Sequence, residues 1–248
     1  MTDISGKTTI VVGASRGLGR GIATAFAHAG GTVVAVARSA PALAELTIEV
    51  SNVRTEVADA RDGTVAATLL GRYQPQNVIV VAGASPRLAP LHEQTWESFS
   101  ENWDADVRIT FNWLREALRK PLRIGSRVVV ISSGAALQGS SIAGGYSGAK
   151  TTQRFITAFA QEEADRASLG LTFTSVLPRL TPLTDLGRPS VQAHAARNGQ
   201  SEQEYIERMG ELLTPEAAGA AVLEVVRTDP ASLAPAYMLT GAGLQKLP

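Results

Sequence analysis

Short runs of β-branched and aliphatic residues alternate along the chain with longer stretches whose apolar positions recur at helical spacing. Thr8–Val12, Thr32–Ala37, Val53–Val57, Val78–Val81, Arg127–Ile131, Thr172–Val176 and Tyr237–Leu239 read as strands. Between them, Leu18–Ala29, Ala40–Val50, Gly63–Leu70, Val107–Arg119, Tyr146–Arg166 and Pro215–Arg227 have helical composition or spacing. A strand-helix-strand order repeated this often implies parallel strands, because a parallel pair needs a crossover long enough to hold a helix. Several strand runs are apolar on both faces, as in Val128-Val129-Val130-Ile131, so the sheet is covered by helices on both sides. The pattern predicts a doubly wound α/β fold around a seven-stranded parallel sheet.

No Pro/Gly/Ser-rich linker, charge block or internal repeat interrupts this series, and residues 1–248 read as a single domain. The least regular region runs from Pro178 to about Thr214 and contains Pro182, Gly187, Pro189 and Gly210 around a polar, partly helical stretch, Ser201–Leu213. Loops beyond the C-terminal ends of strands build the sites in such sheets, so residues 179–214 are expected to form a substrate lid.

Composition narrows the partners. The 23 basic residues balance 23 acidic ones, leaving no net charge to attract nucleic acid or an anionic membrane; small molecules are the expected ligands. There is no cysteine, so thiolate catalysis and cysteine-ligated metal are excluded. His28, His92 and His194 are too scattered to suggest a zinc site, and no metal is expected. The chain enters its first strand without the apolar core of a signal peptide, and no apolar run reaches membrane-spanning length; a cytoplasmic location is expected.

Gly13, Gly17 and Gly19 follow the first strand and open the first helix, with Ser15, Arg16 and Leu18 completing the turn. A side chain at the glycine positions would obstruct the turn or the approach of a pyrophosphate to backbone N–H groups, and a helix N-terminus favours negative phosphates. The context is that of a Rossmann-type dinucleotide site, although the spacing is G-x-x-x-G-x-G. The second strand ends at Arg38, where a carboxylate for the ribose 2′-hydroxyl of NAD is absent. Arg38, helped by Arg16, suits a 2′-phosphate, which points to NADPH/NADP+ in preference to NADH. Asp59, followed by Ala60 after the third strand, is a candidate acceptor for the adenine amino group, and a loop or capping role is its alternative.

Tyr146 and Lys150 are four apart in a helical segment and therefore share a face. A lysine ammonium there stabilises phenolate, and a tuned phenol can deliver the proton that a ketone oxygen needs when hydride reaches its carbon. Ser133, thirteen residues before Tyr146 and just past the fifth strand, offers a hydroxyl to the same oxygen. A chain of this composition contains a Tyr-x-x-x-Lys pair by chance about 0.06 times, so coincidence is a poor explanation.

With these landmarks the chain resembles the short-chain dehydrogenase/reductase family over nearly its whole length. The matching residues are Gly13, Gly17, Gly19, Asp59, Ala82-Gly83 after the fourth strand, Ser132-Ser133, Tyr146, Lys150 and Pro178. The resemblance implies that Ser133, Tyr146 and Lys150 work in a proton relay, that Lys150 holds the nicotinamide ribose, and that the enzyme is a homo-tetramer or homo-dimer. Three positions depart from the family pattern. Its Asn-Asn-Ala-Gly reads Val80-Val81-Ala82-Gly83. Its Pro-Gly reads Pro178-Arg179, with Leu183 where a threonine is expected, so that Thr181 or Thr184 is left to meet the nicotinamide carboxamide. Its catalytic Asn, which works largely through a backbone carbonyl that holds a water, falls on Asp106, whose side chain or backbone is the candidate replacement.

The expected activity is NADPH-dependent reduction of a small or medium neutral ketone to a secondary alcohol. A 3-oxoacyl-carrier-protein reductase is the alternative enzyme, because Arg115, Arg119, Lys120, Arg123 and Arg127 offer a basic surface to an acidic carrier, although a solvated helix end accounts for them too. An NADP(H)-sensing or scaffold protein without turnover is the alternative from another class. Leu88, Leu91, Gln138, Ile142, Leu183, Leu186 and Met209 are candidate pocket or lid residues.

Overall fold

The computed structural model describes residues 3–120 and 122–248. Its first half contains β1 (Thr8–Val12), α1 (Gly17–His28), β2 (Thr32–Ala37), α2 (Ala40–Glu49), β3 (Val53–Val57), α3 (Gly63–Tyr73), β4 (Asn77–Val80), α4 (Trp96–Asn102) and α5 (Arg108–Arg119). The second half continues with β5 (Arg127–Ile131), α6 (Ala135–Gln138), α7 (Gly144–Arg166), β6 (Thr172–Pro178), α8 (Gly187–Arg197), α9 (Glu202–Met209), α10 (Pro215–Arg227), β7 (Ala236–Thr240) and β8 (Gly243–Leu247).

The strands form one sheet in the order β3-β2-β1-β4-β5-β6-β7-β8. All pairings from β3 to β7 are parallel. β8 adds an eighth, antiparallel strand to the seven expected, folding back on β7 with Thr240 opposite Gly243. Gly243 has a φ of +109°, a conformation that glycine adopts without penalty. Alternation along the strands sorts their side chains into two cores. Val11, Val33, Ala35, Ile79 and Val129 face α1 and α10, whereas Ile10, Val12, Val34, Val36, Val78 and Val80 face α3 and α5, where the fully buried Trp113 sits.

α4, α6 and α8 lie outside the segments that the sequence pattern predicts to be helical. α4 is opened by a capping box in which Thr95 and Ser98 exchange side-chain bonds with each other's backbone N–H groups. Its sequence, Trp-Glu-Ser-Phe-Ser-Glu-Asn, carries no apolar periodicity. A single π turn, Trp103–Val107, joins α4 to α5. α8 begins in Gly187-Arg188-Pro189, which reads as a breaker, but proline is tolerated in a helix's first turn, where its missing N–H has no intrahelical partner anyway. α8 and α9 fill the region expected to be a lid.

Candidate active site

Because β1 to β6 run parallel, the segments that follow their C-terminal ends meet along one edge of the sheet. Asp59 follows β3, Arg38 follows β2, the Gly13–Gly19 turn follows β1, Ala82-Gly83 follows β4, Ser132-Ser133 follows β5, and Arg179 to Thr181 follow β6, which Pro178 ends. The winding of the chain reverses between β1 and β4, and ligands bind at such a switch point in open α/β sheets. These segments line one cleft of about 1480 Å³, together with Tyr146 and Lys150 of α7 and Asp106 of the π turn. Every residue singled out in the sequence as a catalytic or cofactor candidate lines this cleft.

The turn after β1 is shaped for a close backbone approach. Gly13 has a φ of +95°, and a Cβ there would lie 2.7 Å from the Ala82 amide nitrogen; a Cβ on Gly19 would lie 2.0 Å from the Gly13 carbonyl oxygen. Arg16 caps α1 with extended backbone and no side-chain bond, and no acidic residue occupies the first turn. The leading N–H groups of a full-length helix therefore face the cleft without a carboxylate competing for them, and this cradle fits a dinucleotide pyrophosphate. Arg16 and Arg38 are both exposed and line the cleft. The Arg16 guanidinium reaches Asp185, just ahead of α8, at 3.8 Å.

Arg61, which the sequence reading passed over, holds Asp59. Its Nε donates to both carboxylate oxygens at 3.1 and 3.0 Å, its Nη2 donates at 2.6 Å and its backbone N–H at 3.0 Å. The Arg61 side-chain bonds, with help from its backbone N–H, its charge and that of Arg38, hold the Asp59 carboxyl at about 2 despite partial burial. The signal available was an arginine two residues beyond the aspartate. Val80 and Val81, which replace two asparagines of the family pattern, pack into opposite cores, so apolar burial takes over from polar ties.

Ser132 and Ser133 both line the cleft; the buried Ser132 hydroxyl donates to the Lys150 carbonyl at 2.7 Å, and Ser133 Oγ accepts the Ala135 N–H. Lys150 Nζ lies 5.4 Å from the centre of the Tyr146 ring and 3.1 Å from Asp106 Oδ2. Asp106 is fully buried. Its other carboxylate oxygen accepts the Ala84 N–H at 2.8 Å and the Asn102 amide at 3.4 Å. Gly83 makes room for it, since a Cβ there would lie 2.7 Å from Oδ2. The backbone carbonyl of Asp106 accepts from Thr110 Oγ1 at 2.9 Å and from Gln153 Nε2 at 3.1 Å, so both of its lone pairs are taken. Of the two candidate replacements at this position, the side chain faces Lys150. Burial alone would depress the Lys150 ammonium, but the charge of Asp106, the proximity of Tyr146 and the Asp106 hydrogen bond outweigh it and raise its pKa.

Thr181 is buried and its Oγ1 accepts the Leu183 N–H, while the Thr184 Oγ1 accepts the Gly187 N–H; both line the cleft. Leu88, Gln138 and Leu186 line it as expected. Leu91 and Leu183 are instead exposed, and Ile142 and Met209 are buried outside the lining. Arg127, read as part of a basic surface, is buried and donates to Thr172 Oγ1 and the Thr228 carbonyl. Among the described residues no cluster of His, Asp and Glu could hold a metal ion.

Comparison with known proteins gives a consistent picture. A model of the short chain dehydrogenase family matches residues 7–195. L-xylulose reductase of Bos taurus is 29% identical over 129 residues, which are 52% of this chain and 53% of that protein. D-erythrulose reductase of Gallus gallus is 27% identical over 130 residues, again 52% and 53% of the two chains. The matched stretch thus spans about half the length of these curated relatives. A solved structure of a short chain dehydrogenase from Mycobacterium avium matches with a TM-score of 0.78 at 20% identity, covering 98% of this chain and 85% of the other, a likeness of fold.

Proposed function

Since the chain belongs to the short-chain dehydrogenase family, we propose that it is an NADPH-dependent carbonyl reductase that interconverts a small or medium uncharged ketone and its secondary alcohol. The observation that carries this reading is the placement of Tyr146 and Lys150 on one face of α7, beside a glycine cradle that fits a pyrophosphate. When bound, the dihydronicotinamide supplies hydride to the carbonyl carbon. The Tyr146 phenol gives its proton to the carbonyl oxygen, Ser133 donates a hydrogen bond to the same oxygen, and Lys150 stabilises the phenolate that remains. Asp106 holds the Lys150 ammonium charged and in place. Thr181 and Thr184 are the side chains offered to the nicotinamide carboxamide.

Arg38 and Arg16 support NADPH over NADH, as guanidinium groups on the side where the ribose 2′-phosphate would lie. The likeness to an L-xylulose reductase and a D-erythrulose reductase favours reduction as the direction of use. A carrier-protein substrate draws less support, because Arg127 is buried, Arg115 and Arg119 share Glu116, and the carboxylates of Glu97, Glu101 and Asp104 line the cleft. The stacked and exposed Phe155 and Phe159 of α7 support assembly with further copies of the chain. No helix among the described residues is long and apolar enough to cross a membrane. The direct test follows NADPH absorbance with a panel of ketones and acyl thioesters. Turnover of ketones is expected, and binding of NADPH without any turnover would replace this reading by that of a sensor.

A further inference from the structure

The region after β6 brings a second set of side chains into the cleft, and the chemistry described above uses none of them. His194 of α8 and Tyr205 of α9 line it together with Gln138 and Ser140 from the end of α6 and the turn beyond, and with Gln245 of β8. His194 Nε2 lies 3.3 Å from Ser140 Oγ, and the imidazole stacks on Tyr205 with ring centres 6.3 Å apart and planes 13° from parallel. Ser140 Oγ accepts the Ile142 N–H at 3.4 Å and keeps its own proton and a second lone pair, so the Ser140–His194 contact can run in either direction with the tautomer of the ring. Burial pushes His194 below the ordinary histidine range, and the nearby charge of Arg197 acts in the same direction. The ring is therefore uncharged at neutral pH.

Ser140, His194 and Tyr205 are half-buried, carry no charge, and can both donate and accept hydrogen bonds. Glu97, Glu101, Asp104 and Arg179, charged residues that also line the cleft, are exposed. A hydroxyl group matches such a wall in either tautomer, since it can donate to one of Ser140 and His194 and accept from the other while replacing one 3.3 Å contact by two hydrogen bonds. A carboxylate or phosphate would give up hydration against Ser140, His194 and Tyr205 with no cation among them to compensate it. An alkyl group between Ser140 and His194 would break their contact and replace it with nothing, and a site built for a hydroxyl rejects its deoxy analogue for that reason.

We propose that Ser140, His194 and Tyr205 form the specificity wall of the cleft and select a neutral ketone that carries hydroxyl groups on the carbons near its carbonyl. Resting on the carbonyl-reductase reading, this names the substrate class of the same site. Ser140 and His194 grip the substrate hydroxyl, and Tyr205 holds the imidazole plane.

The experiment measures kcat/KM for NADPH-dependent reduction of a trihydroxylated four-carbon ketone and of butanone, in the wild type, His194→Leu and His194→Gln. The wild type is expected to prefer the hydroxylated ketone, and His194→Leu to lose roughly tenfold or more of that preference. His194→Gln, whose amide both donates and accepts, recovers part of it. An equal fall on both ketones in His194→Leu, or a wild type that reduces both without preference, overturns the proposal while leaving the carbonyl-reductase reading intact. Failure of the wild type to consume NADPH with any ketone overturns that reading, and this proposal with it.

Discussion

The carboxylate of Asp106 stands 3.1 Å from the ammonium of Lys150, and both groups are buried. A carboxylate here changes the electrostatics of the site relative to an asparagine, because it fixes a negative charge against the cation that serves the phenol. The carbonyl of Asp106, closed by Thr110 and the buried amide of Gln153, has no lone pair left for a water. The pair holds Lys150 charged through neutral pH. Since the folded value is raised, its contribution to stability is complete below the ordinary lysine value of 10.5 and is lost only as pH climbs above it.

Asp106→Asn removes the group that holds Lys150 up, so the ammonium should lose its proton at lower pH. The alkaline limb of the pH profile for ketone reduction is expected to move to lower pH in the variant. A melting curve recorded beside it should show a loss of stability, because Lys150 is left buried without its partner. Superimposable profiles would mean that the carboxylate has no electrostatic role in turnover.

Cofactor preference should follow Arg38. Arg38→Asp replaces the proposed charge partner of the 2′-phosphate by a repelling group, and charge-assisted contacts of this kind contribute about 1.5–3 kcal/mol, or roughly tenfold to a hundredfold in affinity. Arg16→Ala is expected to weaken NADPH more than NADH, by a smaller factor, since Asp185 already shares that guanidinium. The ratio of kcat/KM for the two cofactors reports both effects. An unchanged ratio in Arg38→Asp would put the 2′-site elsewhere.

Two glycine substitutions separate the phosphate cradle from ordinary helix chemistry. Gly19→Ala forces a Cβ to within 2.0 Å of the Gly13 carbonyl, so the turn must shift; NADPH affinity should fall at least tenfold. Gly71→Ala in α3 meets nothing within 4 Å and should instead raise stability by up to about 1 kcal/mol, with cofactor binding unchanged. Isothermal titration and thermal unfolding of the two variants check these opposite signs.

The parts of the molecule that were legible in the sequence are those governed by local periodicity. Runs such as Thr32–Ala37 and Arg127–Ile131 are buried on both faces and could only be strands of a covered sheet, and the four-residue spacing of Tyr146 and Lys150 places both on one helix face. What stayed hidden depends on backbone detail or on distant partners. The direction of the Asp106 carboxylate is set by one π turn, which inserts a residue into the helix and leaves no mark in composition. Ser140 and His194 are 54 residues apart and meet only because α8 folds over the turn beyond α6. β8 escaped notice because Gly-Leu-Gln-Lys-Leu has a mixed, half-exposed edge-strand pattern, and α4 because its capping box uses serine where glutamate or glutamine is the usual sign.

On the proposed mechanism the Tyr146 phenol delivers the proton to a substrate carbonyl and takes no part in holding NADPH. Single-turnover reduction of a hydroxylated ketone by NADPH-loaded enzyme, followed by the loss of NADPH absorbance in wild type and Tyr146→Phe beside a fluorescence titration of NADPH, tests this most directly. The variant is expected to react roughly a hundredfold to ten-thousandfold more slowly, the range that general acid catalysis contributes, while its NADPH affinity stays close to that of the wild type. A variant that reduces the ketone at a rate near the wild-type value would contradict the account.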